Sequence, residues 1–112
     1  MSSSQLPRKT ESQADAIKTY TLEFEIEAKK ELEKLDKVLQ IQLLKKLKCR
    51  LLSPKVPAVG LRNMPNCYKI KLRASGVRLV YEVIDNRLIV LVLGVGRRDD
   101  NAVYIAAKKR LH

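Results

Sequence analysis

Apolar positions change period several times along this chain, and each change marks an element. From Thr19, the residues Tyr20, Leu22, Phe24 and Ile26 alternate with Thr21, Glu23 and Glu25, the spacing of a strand with one buried face. Ala28 to about Leu35 is then made of good helix formers. Asp36 is placed to cap a second helix over residues 37–52, with Val38, Ile41, Leu44, Leu47, Leu51 and Leu52 as its apolar stripe. Lys45, Lys46, Lys48 and Arg50 cover the rest of that helix, and Ser53-Pro54 stops it. A loop with Pro57, Gly60 and Pro65 follows. Three strands are expected next, over 67–73, 77–84 and 87–95, the first two joined by Ala74-Ser75-Gly76. Leu88 to Leu93 is apolar on both faces, which predicts a central strand. Gly94 and Gly96 are expected to loosen the chain before Asp99 caps a final helix over 101–111.

The order β-α-α-β-β-β-α predicts an α+β fold: a small antiparallel four-stranded sheet packed against an N-terminal helical hairpin, with a C-terminal helix. Residues 1–17 are polar, Ser-rich and aperiodic and read as a disordered tail; residues 18–112 form one domain. No run of 18 apolar residues and no signal-like N-terminus is present, so a cytoplasmic protein without a membrane partner is expected. Cys49 and Cys67 lack metal-like spacing and read as small core residues rather than a disulfide.

Charge sharpens the picture once it is located. The net charge is +11. Eleven of the 23 Lys and Arg lie between Lys37 and Tyr81, a span without Asp or Glu, while the other twelve are balanced by all twelve acids. The whole excess therefore sits in one stretch, which points to a polyanionic partner, nucleic acid or a very acidic protein. At its centre lies Tyr68-Lys69-Ile70-Lys71-Leu72-Arg73. In a strand Lys69, Lys71 and Arg73 share one face at roughly 7 Å spacing, and Tyr68, Ile70 and Leu72 share the other. Arg78 adds a fourth cation from the returning strand.

Several chemistries are unavailable. The only histidine is His112, no His/Cys/Asp/Glu set has metal-ligand spacing, and no phosphate-binding glycine loop is present. Asp99-Asp100 reads as a helix cap rather than a cation site. No metal or cofactor is expected. Any catalysis must come from the basic residues. A free lysine, titrating near 10.4, is too protonated to act as a base at neutral pH, but neighbouring cations lower that value. A cationic strand supplies such neighbours; it would equally serve as a binding surface without catalysis.

The residues Asn63 to Asp85, NMPNCYKIKLRASGVRLVYEVID, followed by GVGRRDDNAVY at Gly94 to Tyr104, closely resemble the RelE family of bacterial toxins. The resemblance extends from about Thr19 to Leu111. It implies a toxin of a type II toxin–antitoxin system, a metal-independent endoribonuclease that cuts messenger RNA in the A site of the 70S ribosome through the 2′-hydroxyl. It also implies an acidic RelB-like antitoxin that wraps the toxin, the pair repressing its own operon through operator DNA. Residue by residue, Lys71 would be the general base, Lys69 and Arg78 would hold the phosphate, and Arg98 would stand at the general acid's position, where stabilising the leaving oxygen is physically easier than donating a proton. Tyr104 would stack on a base or orient the nucleophile. Lys45, Lys46, Lys48, Arg50, Arg62 and Arg73 would grip RNA. Asp99-Asp100 stand where well-known members carry further basic character. The alternatives are a non-catalytic toxin of the ParE kind acting on DNA gyrase, or a degenerate member that binds only antitoxin or operator.

Overall fold

The computed structural model describes residues 19–97 and 102–112. The expected tail over 1–17, the Arg98 site and the Asp99 cap lie outside the described residues. The elements are β1 (Thr21–Phe24), α1 (Ile26–Glu33), α2 (Lys37–Arg50), a 3-10 turn (Pro57–Val59), β2 (Cys67–Leu72), β3 (Val77–Ile84), a second 3-10 turn (Asp85–Arg87), β4 (Ile89–Arg97) and α3 (Ala102–Lys109). The strands lie in the order β1-β4-β3-β2, so the strand that is apolar on both faces is interior, as its sequence predicts. β2–β3 and β3–β4 are antiparallel. β1 instead runs parallel to β4, so the sheet is mixed. Strand direction here follows from the path of the helical hairpin between β1 and the rest of the sheet, which side-chain periodicity does not encode.

The two faces of the sheet carry separate cores. On one, Ala28 and Leu32 of α1 and Leu43 and Leu47 of α2 pack on Ile70, Leu72, Val77, Leu79, Tyr81, Val83, Val90, Val92 and Val95. On the other, Val103 and Ala107 of α3 pack on Met64, Cys67, Val80 and Leu93. Full burial of a Leu such as Leu43 or Leu47 contributes about 1.5–3 kcal/mol.

The α2 stripe differs from expectation. Val38, Ile41 and Leu52 are exposed at 63%, 47% and 62%. The line that meets the sheet is Leu39, Leu43, Leu47 and Leu51, at i,i+4 spacing, with Leu44 beside it, so Leu44, Leu47 and Leu51 of the expected stripe do pack. Apolar residues flank this ridge on both sides, so helical periodicity alone does not select it. Asp36 occupies the N-cap position of α2 without a side-chain cap bond. Glu25 caps α1 instead, its carboxylate accepting from the Ala28 amide at 3.0 Å, and the helix begins two residues earlier than expected.

Gly94 and Gly96 lie inside β4 rather than loosening it. A methyl at Gly94 would meet the Val103 carbonyl oxygen at 3.2 Å, so glycine is what lets α3 settle on the sheet. At the β2–β3 turn Gly76 has φ 76° and donates to Leu72 O at 2.8 Å; other residues are strained there.

Candidate active site

Cys67, Lys69 and Lys71 alternate onto the α3 face of β2, and Arg78, Val80 and Glu82 onto the same face of β3. In register Lys71 stands directly opposite Arg78, and Lys69 opposite Val80. Residues so paired have Cβ atoms roughly 4.5–5.5 Å apart. Ile70, Leu72, Val77 and Leu79 bury the opposite face, so the cations stand on a packed floor that holds them together despite their repulsion. Lys71 is exposed, while Lys69 and Arg78 are half-buried. The Arg78 guanidinium carbon lies 6.0 Å from the centroid of the Tyr104 ring, which α3 supplies. Arg78 Nε is buried and has no hydrogen-bond partner among the described residues, a donor that an arriving anionic oxygen would satisfy. Arg78 is the largest influence lowering the pKa of Lys71, followed by Lys69, partial desolvation and Arg73.

Two clefts meet at Lys71. One, of about 400 Å³, runs between Lys71, Arg73, Gly76 and Arg78. The other, of about 750 Å³, lies between α2 and the β2–β3 turn, with Lys45, Lys46, Lys71 and Arg73 around Leu39 and Leu72. Three of the expected RNA-gripping residues thus adjoin the cationic strand. Arg73 does so from the turn and not from the strand face, because β2 ends at Leu72. Lys48 and Arg62 are exposed and line neither cleft. Arg50 is turned inward: its Nη1 donates to the Tyr81 hydroxyl at 2.8 Å and its guanidinium lies 5.8 Å from that ring. A basic residue among basic residues gives no sequence signal for such a role. The Tyr81 hydroxyl in turn donates to Pro54 O at 2.7 Å, and burial raises its pKa, opposed by Arg50.

The cysteines divide. Cys67 is buried and Cys49 exposed, both as free thiols, so only Cys67 is the core residue expected. Burial, assisted by Glu82, pushes the Cys67 thiol up to about 12, which removes it as a nucleophile. His112 engages the buried Glu82, Nδ1 to Oε2 at 2.9 Å. Among the described residues no cluster of three or more His, Cys, Asp or Glu is placed to hold a metal ion, and no helix is long and apolar enough to cross a membrane.

Two polar knots elsewhere in the fold carry no sequence signal. Asp85 accepts from the Tyr20 hydroxyl at 2.7 Å and pairs with Lys55. Arg110, beyond α3, makes a two-pronged ion pair with Glu31 of α1. Both join residues far apart in sequence, and only the folded chain brings them together.

A mixed four-stranded sheet with a cationic strand pair, an aromatic residue leaning over it and a basic cleft beside it defines a small protein built to handle a polyanion. The family described as the ParE toxin of the type II toxin-antitoxin system, parDE, matches residues 22–102. The mRNA interferase toxin RelE of Escherichia coli (strain K12) is 51% identical over 92 residues, covering 82% of this chain and 97% of that protein. A putative RelE-like toxin protein of Escherichia coli is 50% identical over the same length, with the same coverage of both chains. Among solved structures, a double-arginine mutant of E. coli toxin RelE in the free state superposes with a TM-score of 0.79 at 49% identity, covering 84% of this chain and 99% of that one. The intact E. coli RelBE toxin–antitoxin complex gives 0.70 at 51% identity, covering 72% and 99%. The chain belongs to the RelE family of type II toxin–antitoxin toxins, within the wider group that includes the ParE toxins.

Proposed function

We propose that this protein is the toxin of a toxin–antitoxin pair and an endoribonuclease that cuts messenger RNA in the ribosomal A site. The observation that carries this reading is the Lys71–Arg78 cross-strand pair, flanked by Lys69 and faced by Tyr104. It is supported by about half-identity to proteins named mRNA interferase.

In this mechanism Lys71, its pKa lowered by Arg78 and Lys69, takes the proton from a ribose 2′-hydroxyl. The freed oxygen attacks the adjacent phosphorus, and the bond to the 5′-oxygen breaks. Lys69 and Arg78 hold the non-bridging oxygens as negative charge grows on them; the orphaned Arg78 Nε is one such donor. The products are a 2′,3′-cyclic phosphate and a 5′-hydroxyl, so no water acts as nucleophile in the first step. Arg98 takes the leaving-oxygen role by resemblance. Arginine barely deprotonates, which makes it a charge stabiliser there, with solvent supplying the proton. Tyr104 stacks on a base beside the scissile bond. Lys45, Lys46 and Arg73 line the neighbouring cleft and hold phosphates without reading sequence.

The partner that silences this surface is an acidic RelB-like antitoxin, as E. coli RelE is held in its RelBE complex. Its binding also carries the toxin to operator DNA, and the protein acts in the cytoplasm, where ribosomes are. The family match to ParE toxins favours a second reading, action on DNA gyrase, which makes no use of the cationic set. Induced expression with mapping of messenger RNA ends separates the two. The nuclease reading expects cuts within translated codons bearing cyclic phosphate ends; growth arrest with intact messages and damaged DNA would overturn it.

A further inference from the structure

β1 pairs with β4 only as far as Val92, so among the described residues one edge of β4 beyond that point has no strand partner. An ion pair between α1 and the residue that follows α3 serves that edge instead. Arg110 Nη1 donates to Leu93 O at 3.1 Å, and the Val95 amide donates to Glu31 Oε1 at 3.0 Å. The two side chains then close on each other, Nη1 to Oε1 at 3.0 Å and Nη2 to Oε2 at 3.1 Å. Arg110 Nε also lies 3.6 Å from Glu25 Oε1. Arg110 is only 19% exposed. A two-pronged arginine–carboxylate pair of this kind fixes direction as well as distance.

The underside of α3 offers less definition. Val103 and Ala107 rest beside Gly94, and Val103 also on Gly96, so small side chains meet bare backbone. Shallow relief of this sort sets the height of a helix above a sheet more firmly than its place along its own axis. Tyr104 precedes Lys109, the last residue of α3 and the neighbour of Arg110, by five residues, about 7.5 Å of helix, so a shift at the Arg110 end is carried to the ring that faces Arg78. On its other flank the segment is tied to β3, where His112 N donates to Glu82 Oε1 at 3.1 Å. Breaking the ion pair with Glu31 therefore leaves α3 attached but free to skew.

We propose that Arg110 and Glu31 are positioning residues for RNA cleavage: their ion pair fixes α3 along the β4 edge and so holds Tyr104 against Arg78. This rests on the nuclease reading above. The test uses purified protein, ribosomes programmed with a defined message, and single-turnover cleavage by wild type, Glu31→Gln and Arg110→Lys. A displacement of about 1 Å at a reacting group costs up to roughly a hundredfold. Glu31→Gln is thus expected to slow the saturated rate by about tenfold to a hundredfold, with half-saturation changed by less than about twofold. In a Tyr104→Ala background the same substitution should change the rate by less than about twofold, because the two act through one ring. An unchanged rate, or an equal loss in both backgrounds, overturns the proposal.

A second arm needs no RNA. With tyrosine rings labelled for NMR, Glu31→Gln should shift the Tyr104 signal and leave Tyr68 and Tyr81 in place; Arg110→Lys, which keeps the cation but loses the fork, should do so to a lesser degree. A Tyr104 signal unmoved in both variants overturns the proposal. If wild type fails to cut, the nuclease reading fails, while the NMR arm still decides whether the ion pair positions Tyr104.

Discussion

Tyr81→Phe removes one oxygen from the centre of the fold, and its consequence can be worked from the hydrogen bonds. Tyr81 is fully buried. Its hydroxyl donates to Pro54 O at 2.7 Å and accepts from Arg50 Nη1 at 2.8 Å. The phenylalanine ring keeps the stacking with Tyr68, centroids 5.7 Å apart, and leaves no sizeable void. The cost is therefore almost wholly that of two unmet polar groups. A buried carbonyl without its donor costs about 1–3 kcal/mol, whereas the half-buried Arg50 recovers part of its loss from water. The net is about 2 kcal/mol. For a domain of this size each kcal/mol moves Tm by roughly 4–8 °C, so Tm should fall by about 8–16 °C. Urea unfolding should show a lower midpoint with an unchanged slope. Ribosome affinity at a temperature where both proteins are folded should be unaltered, because Arg50 faces inward. A loss below about 0.5 kcal/mol would refute the reasoning. So would Arg50→Leu weakening ribosome binding while leaving stability intact.

Arg78→Ala removes the largest influence holding the Lys71 pKa down. Lys71 works unprotonated, so activity is gained as pH rises through its pKa, and the ascending limb of the pH–rate profile should move to higher pH. A limb that stays in place, with only the maximum reduced, would assign the base elsewhere. Lys45→Ala with Lys46→Ala should weaken ribosome binding and reduce the slope of log affinity against log salt by about one for each phosphate no longer neutralised; an unchanged slope would remove the α2 cleft from the RNA path. Near neutral pH a maleimide should label one thiol in the native protein, the exposed Cys49, and two after unfolding, because the Cys67 thiol is buried and pushed up to about 12. Native labelling of both would contradict that burial.

The strands are the most legible part of the fold, and β2 shows why. Its alternation of Ile70 and Leu72 with Lys69 and Lys71 defines the face, the register with β3 follows from a short turn, and the cationic cluster comes with them. The helices are less legible. α2 carries apolar residues around more than half its surface, and whether Leu43 or Ile41 meets the sheet depends on how the helix leans, a tertiary choice. Gly94 and Gly96 read locally as weakness and act instead as clearance for α3. Arg50 and Arg110 are indistinguishable in sequence from solvated cations, because their partners, Tyr81 and Glu31, lie 31 and 79 residues away. The position of Arg73 differs for a simpler reason: the strand ends one residue sooner than the charge pattern suggests. The parallel β1 has no sequence signal at all.

The central claim is that Lys71 is the base of an RNA-cleaving site on this toxin surface. Its most direct measurement is single-turnover cleavage of A-site message on programmed ribosomes, comparing wild type with Lys71→Ala and scoring the 3′ end of the upstream fragment. The account predicts a 2′,3′-cyclic phosphate from wild type and, from the variant, cleavage slowed by about a hundredfold or more with ribosome affinity nearly unchanged. Cleavage by Lys71→Ala at the wild-type rate, or an end without the cyclic phosphate, would contradict it.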